Sequence, residues 1–211
     1  NDTIGMDDRE YKAFQEYKEM ADKHNYLWQN KGGTDNQKVI RDMAVFSAFG
    51  EGLQLFGSFI MLLNFQRFGK MKGMGQIVAW SIRDENHHVE NMLKLFHTIL
   101  DEQPELWNDD FKKSLYDICR DMVTLEEKFI DLAFNQGPVE GLTPEEVKSY
   151  IHYMADRRLL QLGLKPNYGV KENPLDWVDY IVNGQAHENF FETKSTEYAK
   201  GAVQGDWSNA F

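Results

Sequence analysis

The sequence predicts an all-α fold, and three observations carry that prediction. Glycine and proline divide its 211 residues into long segments. Within those segments apolar residues recur at helical spacing, and strand-like alternation is almost absent.

The elements follow in order. Asp7 and Asp8 can start a first helix with Tyr11, Phe14, Met20 and Ala21 on one side, ending before Lys31-Gly32-Gly33. Thr34 and Asp35 offer the next N-cap. A second helix is expected from Asn36 to Phe68, apolar nearly all round between Met43 and Leu63, as a helix surrounded by others should be. Its apolar run from Leu53 to Phe65 is interrupted by Gln54 and Ser58, too short and too polar to span a bilayer, so it reads as the centre of a core. The breaker Gly69 to Gly73 separates it from a third helix over Gly75 to Leu100, which must run antiparallel to the second. Another helix fills Asp109 to Asn135 ahead of Gly137-Pro138. Thr143-Pro144-Glu145-Glu146 is a capping box with proline in the first turn, and one more helix begins at Asn173-Pro174. From Gly201 periodicity is lost. Residues 1–200 are therefore expected to form one helical domain and 201–211 a flexible tail.

With 42% apolar residues the chain can bury a sizeable core. A formal net charge of −11 with no basic block disfavours nucleic acid and anionic membranes as direct partners, and none is expected. Cys119 is the only cysteine, so no intrachain disulfide can form; a reducing, cytoplasmic location is expected. No secretory signal opens the sequence, and it begins at Asn1, as a trimmed, processed or incompletely read chain would.

The candidate chemistry lies in FGEGLQLFGSF and IRDENHHVE. A fold-back near residues 70–71 brings Glu51 to within about one and a half turns of Glu85 and His88. Glu85 and His88 are three apart and share a face. Glu51 sits in an otherwise apolar helix, where an unpaired carboxylate is costly, so it either pairs with a cation such as Arg83 or serves as a ligand. The Glu-x-x-His element is that of four-helix di-iron and di-manganese proteins. Two glutamates and one histidine are too few for two metals, and His24, His97, His152 and His187 all lack a glutamate three residues before them.

As text, FSAFGEGLQLFGSFIMLLNFQRFGKMKGMGQIVAWSIRDENHHVENM resembles the second half of the metal site in the small, radical-generating subunit of class I ribonucleotide reductase. The likeness continues through NPLDWVDYIVNGQAHENFFETKSTEYAKG and the acidic, aromatic C-terminus. It implies a ferritin-like helical bundle of the di-metal carboxylate type. It also implies that Glu51, Glu85 and His88 are ligands of the second metal. Asp84 falls on the family's radical-transfer aspartate, and Tyr198 and Glu192 on its C-terminal relay tyrosine and assisting glutamate. Leu55 and Phe59, one and two turns beyond Glu51, would line the radical pocket as well as pack the core, and Trp80 is expected in the core.

The family's other carboxylate, other Glu-x-x-His, radical tyrosine and relay tryptophan have no match here. The chain thus reads as the C-terminal part of the subunit, with the first helices of the fold missing, as an incomplete record or as a split product whose partner supplies an N-terminal half. The cofactor implied is iron, two ions per complete subunit, with manganese as the alternative. The partners implied are the large subunit, engaged through Asp206 to Phe211, and a second copy in a homodimer. Two other readings are a fragment that only binds the large subunit and a different ferritin-like di-metal oxidase.

Overall fold

The structure, a computed structural model, describes residues 16–29 and 35–184. The expectations for Asp7, Asp8, Tyr11, Phe14, the Lys31-Gly33 turn and Thr34 lie outside these residues, as do Glu192, Tyr198 and the 201–211 tail. Seven α-helices form among the described residues: α1 Lys18–Gln29, α2 Asn36–Met43, α3 Phe56–Arg67, α4 Lys72–Glu102, α5 Asp109–Asn135, α6 Pro144–Gln161 and α7 Asp176–Gly184. The described residues form no strand; Val139 and Leu142 make one isolated bridge.

The caps follow the sequence. Asp35 accepts the Lys38 N–H at 3.0 Å, and Asn108 accepts that of Phe111 at 2.9 Å. In the capping box Thr143 Oγ1 accepts from Glu146 N at 3.2 Å while Glu146 Oε2 accepts from Thr143 N at 2.8 Å. The last helix begins slightly after the expected Asn173-Pro174, because Asn173 Oδ1 first accepts the Leu175 N–H at 2.9 Å and holds a turn ahead of α7.

The expected single helix from Asn36 to Phe68 is broken. After α2 the backbone widens into a π-helical segment, Ala44–Glu51, with Gly52 N donating to Ser47 O at 2.9 Å and Gln54 N to Phe49 O at 3.0 Å. Turns over 52–55 then lead into α3. Hydrophobic spacing could not reveal this, since a π segment keeps the chain helical and apolar side chains surround it on several sides. Asn36 to Arg67 is long and apolar enough to cross a membrane by length and composition. Here it forms the middle of the bundle: Ile40, Ala44, Val45, Ala48, Phe49, Leu53, Phe56, Ile60 and Leu63 are fully buried.

α3 and α4 form a hairpin through Gly69 and Met71, both at positive φ. A methyl group at Gly75 would meet Gln66 Oε1 at 2.2 Å, so residues placed symmetrically about the turn touch, as antiparallel helices require. α5 and α6 form a second packed pair, α1 lies on α5, and α7 lies on α4. The core is continuous across them through Phe96, Leu115, Met122, Ile130, Ile151 and Leu159. Cys119 lies within it. Trp80 is half-buried rather than enclosed.

Candidate metal centre

The π segment ends at Glu51, and the widened turn is what aims its carboxylate across to α4. Glu85 and His88, one turn apart on α4, meet it there. One ligand atom from each of Glu51, Glu85 and His88 lies within 4.8 Å of the other two. His88 Nδ1 is 3.7 Å from Glu85 Oε2. The two glutamates are half-buried and the histidine exposed.

Arg83 is not the partner of Glu51. Its Nε donates to Ala79 O at 3.4 Å, and its Nη2 is buried without a hydrogen-bond partner among the described residues. Burial raises the Glu51 carboxyl above its ordinary value, Glu85 raises it further, and His88 pulls it back. Two carboxylates facing each other with an imidazole beside them suit a borderline divalent cation such as Fe²⁺ or Mn²⁺, whose charge would relieve that repulsion. The donor set therefore fits one metal ion of the expected kind.

The other expected residues are placed as follows. Asp84 is exposed beside Glu85. Leu55 is exposed and shares with Glu51 a cavity of about 490 Å³ that Met20, Lys23, Phe46 and Phe129 also line. Phe59 is half-buried, edge-on to Phe56 with ring centroids 5.8 Å apart, and does not line that cavity.

Sequence reasoning missed the groups that hold the helix break. Phe56 N donates to Leu53 O, which leaves the Gly52 carbonyl without its usual partner four residues on. Arg158 Nε supplies one at 2.9 Å. Lys23 Nζ donates to Gln54 O at 2.8 Å and to Glu126 Oε2 at 2.5 Å. Glu126 Oε1 accepts the Gly57 N–H at 3.1 Å. A Cβ at Gly52 would lie 2.5 Å from Arg158 Nε, and one at Gly57 2.3 Å from Glu126 Oε1, so both glycines are what let these side chains in.

Comparison with known proteins shows the family and the fold. Residues 1–174 match the family described as ribonucleotide reductase, small chain. The chain is 43% identical to the probable ribonucleoside-diphosphate reductase small subunit of Invertebrate iridescent virus 3, over 97% of this chain and 59% of that protein. It is 38% identical to the corresponding protein of Invertebrate iridescent virus 6, over 98% of this chain and 68% of that one. The ribonucleotide reductase R2 subunit from Clostridium botulinum superposes with a TM-score of 0.75 at 20% identity, covering 82% of this chain and 55% of that one. That likeness establishes the ferritin-like helical fold. The chain thus spans between half and two thirds of the length of most of these relatives.

Proposed function

This chain belongs to the ribonucleotide reductase small-chain family, and we propose that it serves in the radical-generating small subunit that supplies oxidising equivalents for reducing ribonucleotides to deoxyribonucleotides. The observation that carries this reading is the meeting of Glu51, Glu85 and His88 within 4.8 Å at a π-widened helix break. The relatives are named as ribonucleoside-diphosphate reductase small subunits, which gives the reaction class.

Glu51, Glu85 and His88 would hold one iron, with manganese as the alternative, and a complete pair would need further ligands from outside these three. Such a dinuclear centre supplies one-electron oxidation with O₂. The residues of this chain do the rest by placement. The π turn presents Glu51, α4 presents the other two donors, Leu55 lines the cavity beside Glu51, and Phe59 packs on Phe56 outside that cavity. Asp84, beside Glu85, and Glu192 with Tyr198 near the C-terminus carry the proton and electron path toward the large subunit. Residues 201–211 dock there through Trp207 and Phe211, as aromatic anchors in a short acidic segment would. Two copies form a dimer, in the cytoplasm.

The test is reconstitution of the chain with iron, the large subunit and the segment bearing the remaining ligands. Ribonucleoside diphosphate reduction is expected, and Glu85→Ala and Tyr198→Phe should each abolish it. Deleting residues 201–211 should abolish large-subunit binding. A reconstituted assembly that binds no metal overturns the proposal.

A further inference from the structure

Arg158 is among the largest fully buried side chains, 1% exposed, and projects from α6 into the junction of the π segment with α4. Its hydrogen bonds run to three neutral oxygens: Nε to Gly52 O at 2.9 Å, Nη2 to Asn86 Oδ1 at 2.7 Å, and Nη1 to Gln161 Oε1 at 2.9 Å. Its guanidinium also lies over the Phe56 ring, 5.8 Å from the centroid. Gly52 follows Glu51 in sequence and Asn86 follows Glu85. One planar group on a third helix therefore holds the residue next to each carboxylate.

A guanidinium buried on neutral partners is an expensive way to fill a core. Burial lowers its pKa to about 10, so it keeps its charge near neutrality. A leucine or methionine would pack the same volume more cheaply, but neither offers donors fixed in one plane. The need for those donors arises from the helix break: the Gly52 carbonyl has lost its ladder partner, and without Arg158 the turn bearing Glu51 is free to relax.

We propose that Arg158 is a positioning residue for the metal ligands, fixing the separation of Glu51 and Glu85 by clamping Gly52 and Asn86. It touches no ligand atom and acts through the backbone and the neighbouring amide. The proposal rests on the reading that Glu51, Glu85 and His88 bind a cation. Removing such an outer contact is expected to weaken metal binding by about 10–100-fold.

The test measures Mn²⁺ affinity by electron paramagnetic resonance, together with backbone amide exchange, in the wild type, Arg158→Lys, Arg158→Met, Asn86→Ala and an Ile151→Val control. Ile151 is buried on the same helix, so its variant reports general destabilisation. Arg158→Lys and Arg158→Met should lose at least about tenfold in affinity and speed exchange over residues 50–57. Asn86→Ala should lose less, with its fold intact, and Ile151→Val should leave affinity unchanged. Arg158→Lys with wild-type affinity and exchange overturns the proposal, as does an equal affinity loss in Ile151→Val. If the wild type binds no Mn²⁺, the cation reading fails by itself; the exchange data then uphold the clamp if residues 50–57 open in Arg158→Lys and overturn it if they do not.

Discussion

Asp156 and Glu51 are both carboxylates set among apolar helices, and they end in opposite circumstances. Asp156 is 2% exposed and accepts three backbone N–H groups, from Asn167 at 2.7 Å, Tyr168 at 2.9 Å and Val170 at 2.9 Å. It fastens the chain after α6 back onto that helix. Glu51 is half-buried and faces Glu85 and His88 rather than a ring of donors. The first carboxylate is completed by the protein's own backbone; the second meets another carboxylate and an imidazole. Glu126 stands between them, with Lys23 and the Gly57 N–H as partners. Among these acids only the Glu51 group gathers further metal-ligating side chains.

Breaking the closed end of this comparison should cost most. Asp156→Ala removes the buried carboxylate acceptor of three part-buried N–H groups, each such bond contributing ~1.5–3 kcal/mol before water partly replaces it, so a loss of about 3–5 kcal/mol is expected in urea unfolding. A loss below about 1 kcal/mol would mean that water replaces the carboxylate, and that Asp156 is not the fastening described here.

Lys23→Met is next, because it strands Glu126. About 3 kcal/mol should be lost, and part of it recovered in Lys23→Met/Glu126→Gln, which removes the stranded charge and keeps an acceptor for the Gly57 N–H, measured as a double-mutant cycle. The pH dependence has a definite sign. Burial already raises the Glu126 carboxyl, against the pull of Lys23 and the Gly57 N–H. Without Lys23 its folded value stands further above the unfolded one. The unfolded chain then releases its proton first, so the stability of the single variant should fall as pH rises above the ordinary carboxylate range. A variant whose stability rises over that range would contradict this.

At the open end the sign reverses. Glu51→Gln removes repulsion from Glu85, so the metal-free protein should gain stability, by less than about 1 kcal/mol since the group is half-exposed and screened. A loss comparable with that of Asp156→Ala would show that Glu51 is a structural acid. The smallest effect concerns Cys119, whose thiol is pushed up to about 12 by burial first and by Asp156 second. The folded protein should resist a thiol reagent at pH 8, and Asp156→Ala should admit it.

Much of this was legible in the sequence. Helix boundaries came from glycine, proline and capping residues, whose effects are local, and α5 was placed at Asp109–Asn135 as expected. Glu51, Glu85 and His88 were legible because a short hairpin turn fixes which residues face each other. The π break was not, because an apolar sequence fits α and π backbones alike. Arg158 and Glu126 left a signal that went unread. Arg158 falls seven residues after Ile151 and four after Met154, and Glu126 seven after Cys119 and four after Met122, so each is a charge on a buried stripe. Such a charge needs a partner, but only the fold says that the partners are Gly52, Asn86, Lys23 and Gly57.

The most direct measurement is an anaerobic Fe²⁺ titration of the chain by calorimetry, alongside Glu51→Ala, Glu85→Ala, His88→Ala and Asp156→Asn. About one equivalent should bind to the wild type and to folded Asp156→Asn, and binding should be lost in each of the other three. Wild-type binding that survives in all three ligand variants would contradict the assignment of Glu51, Glu85 and His88 as a metal centre.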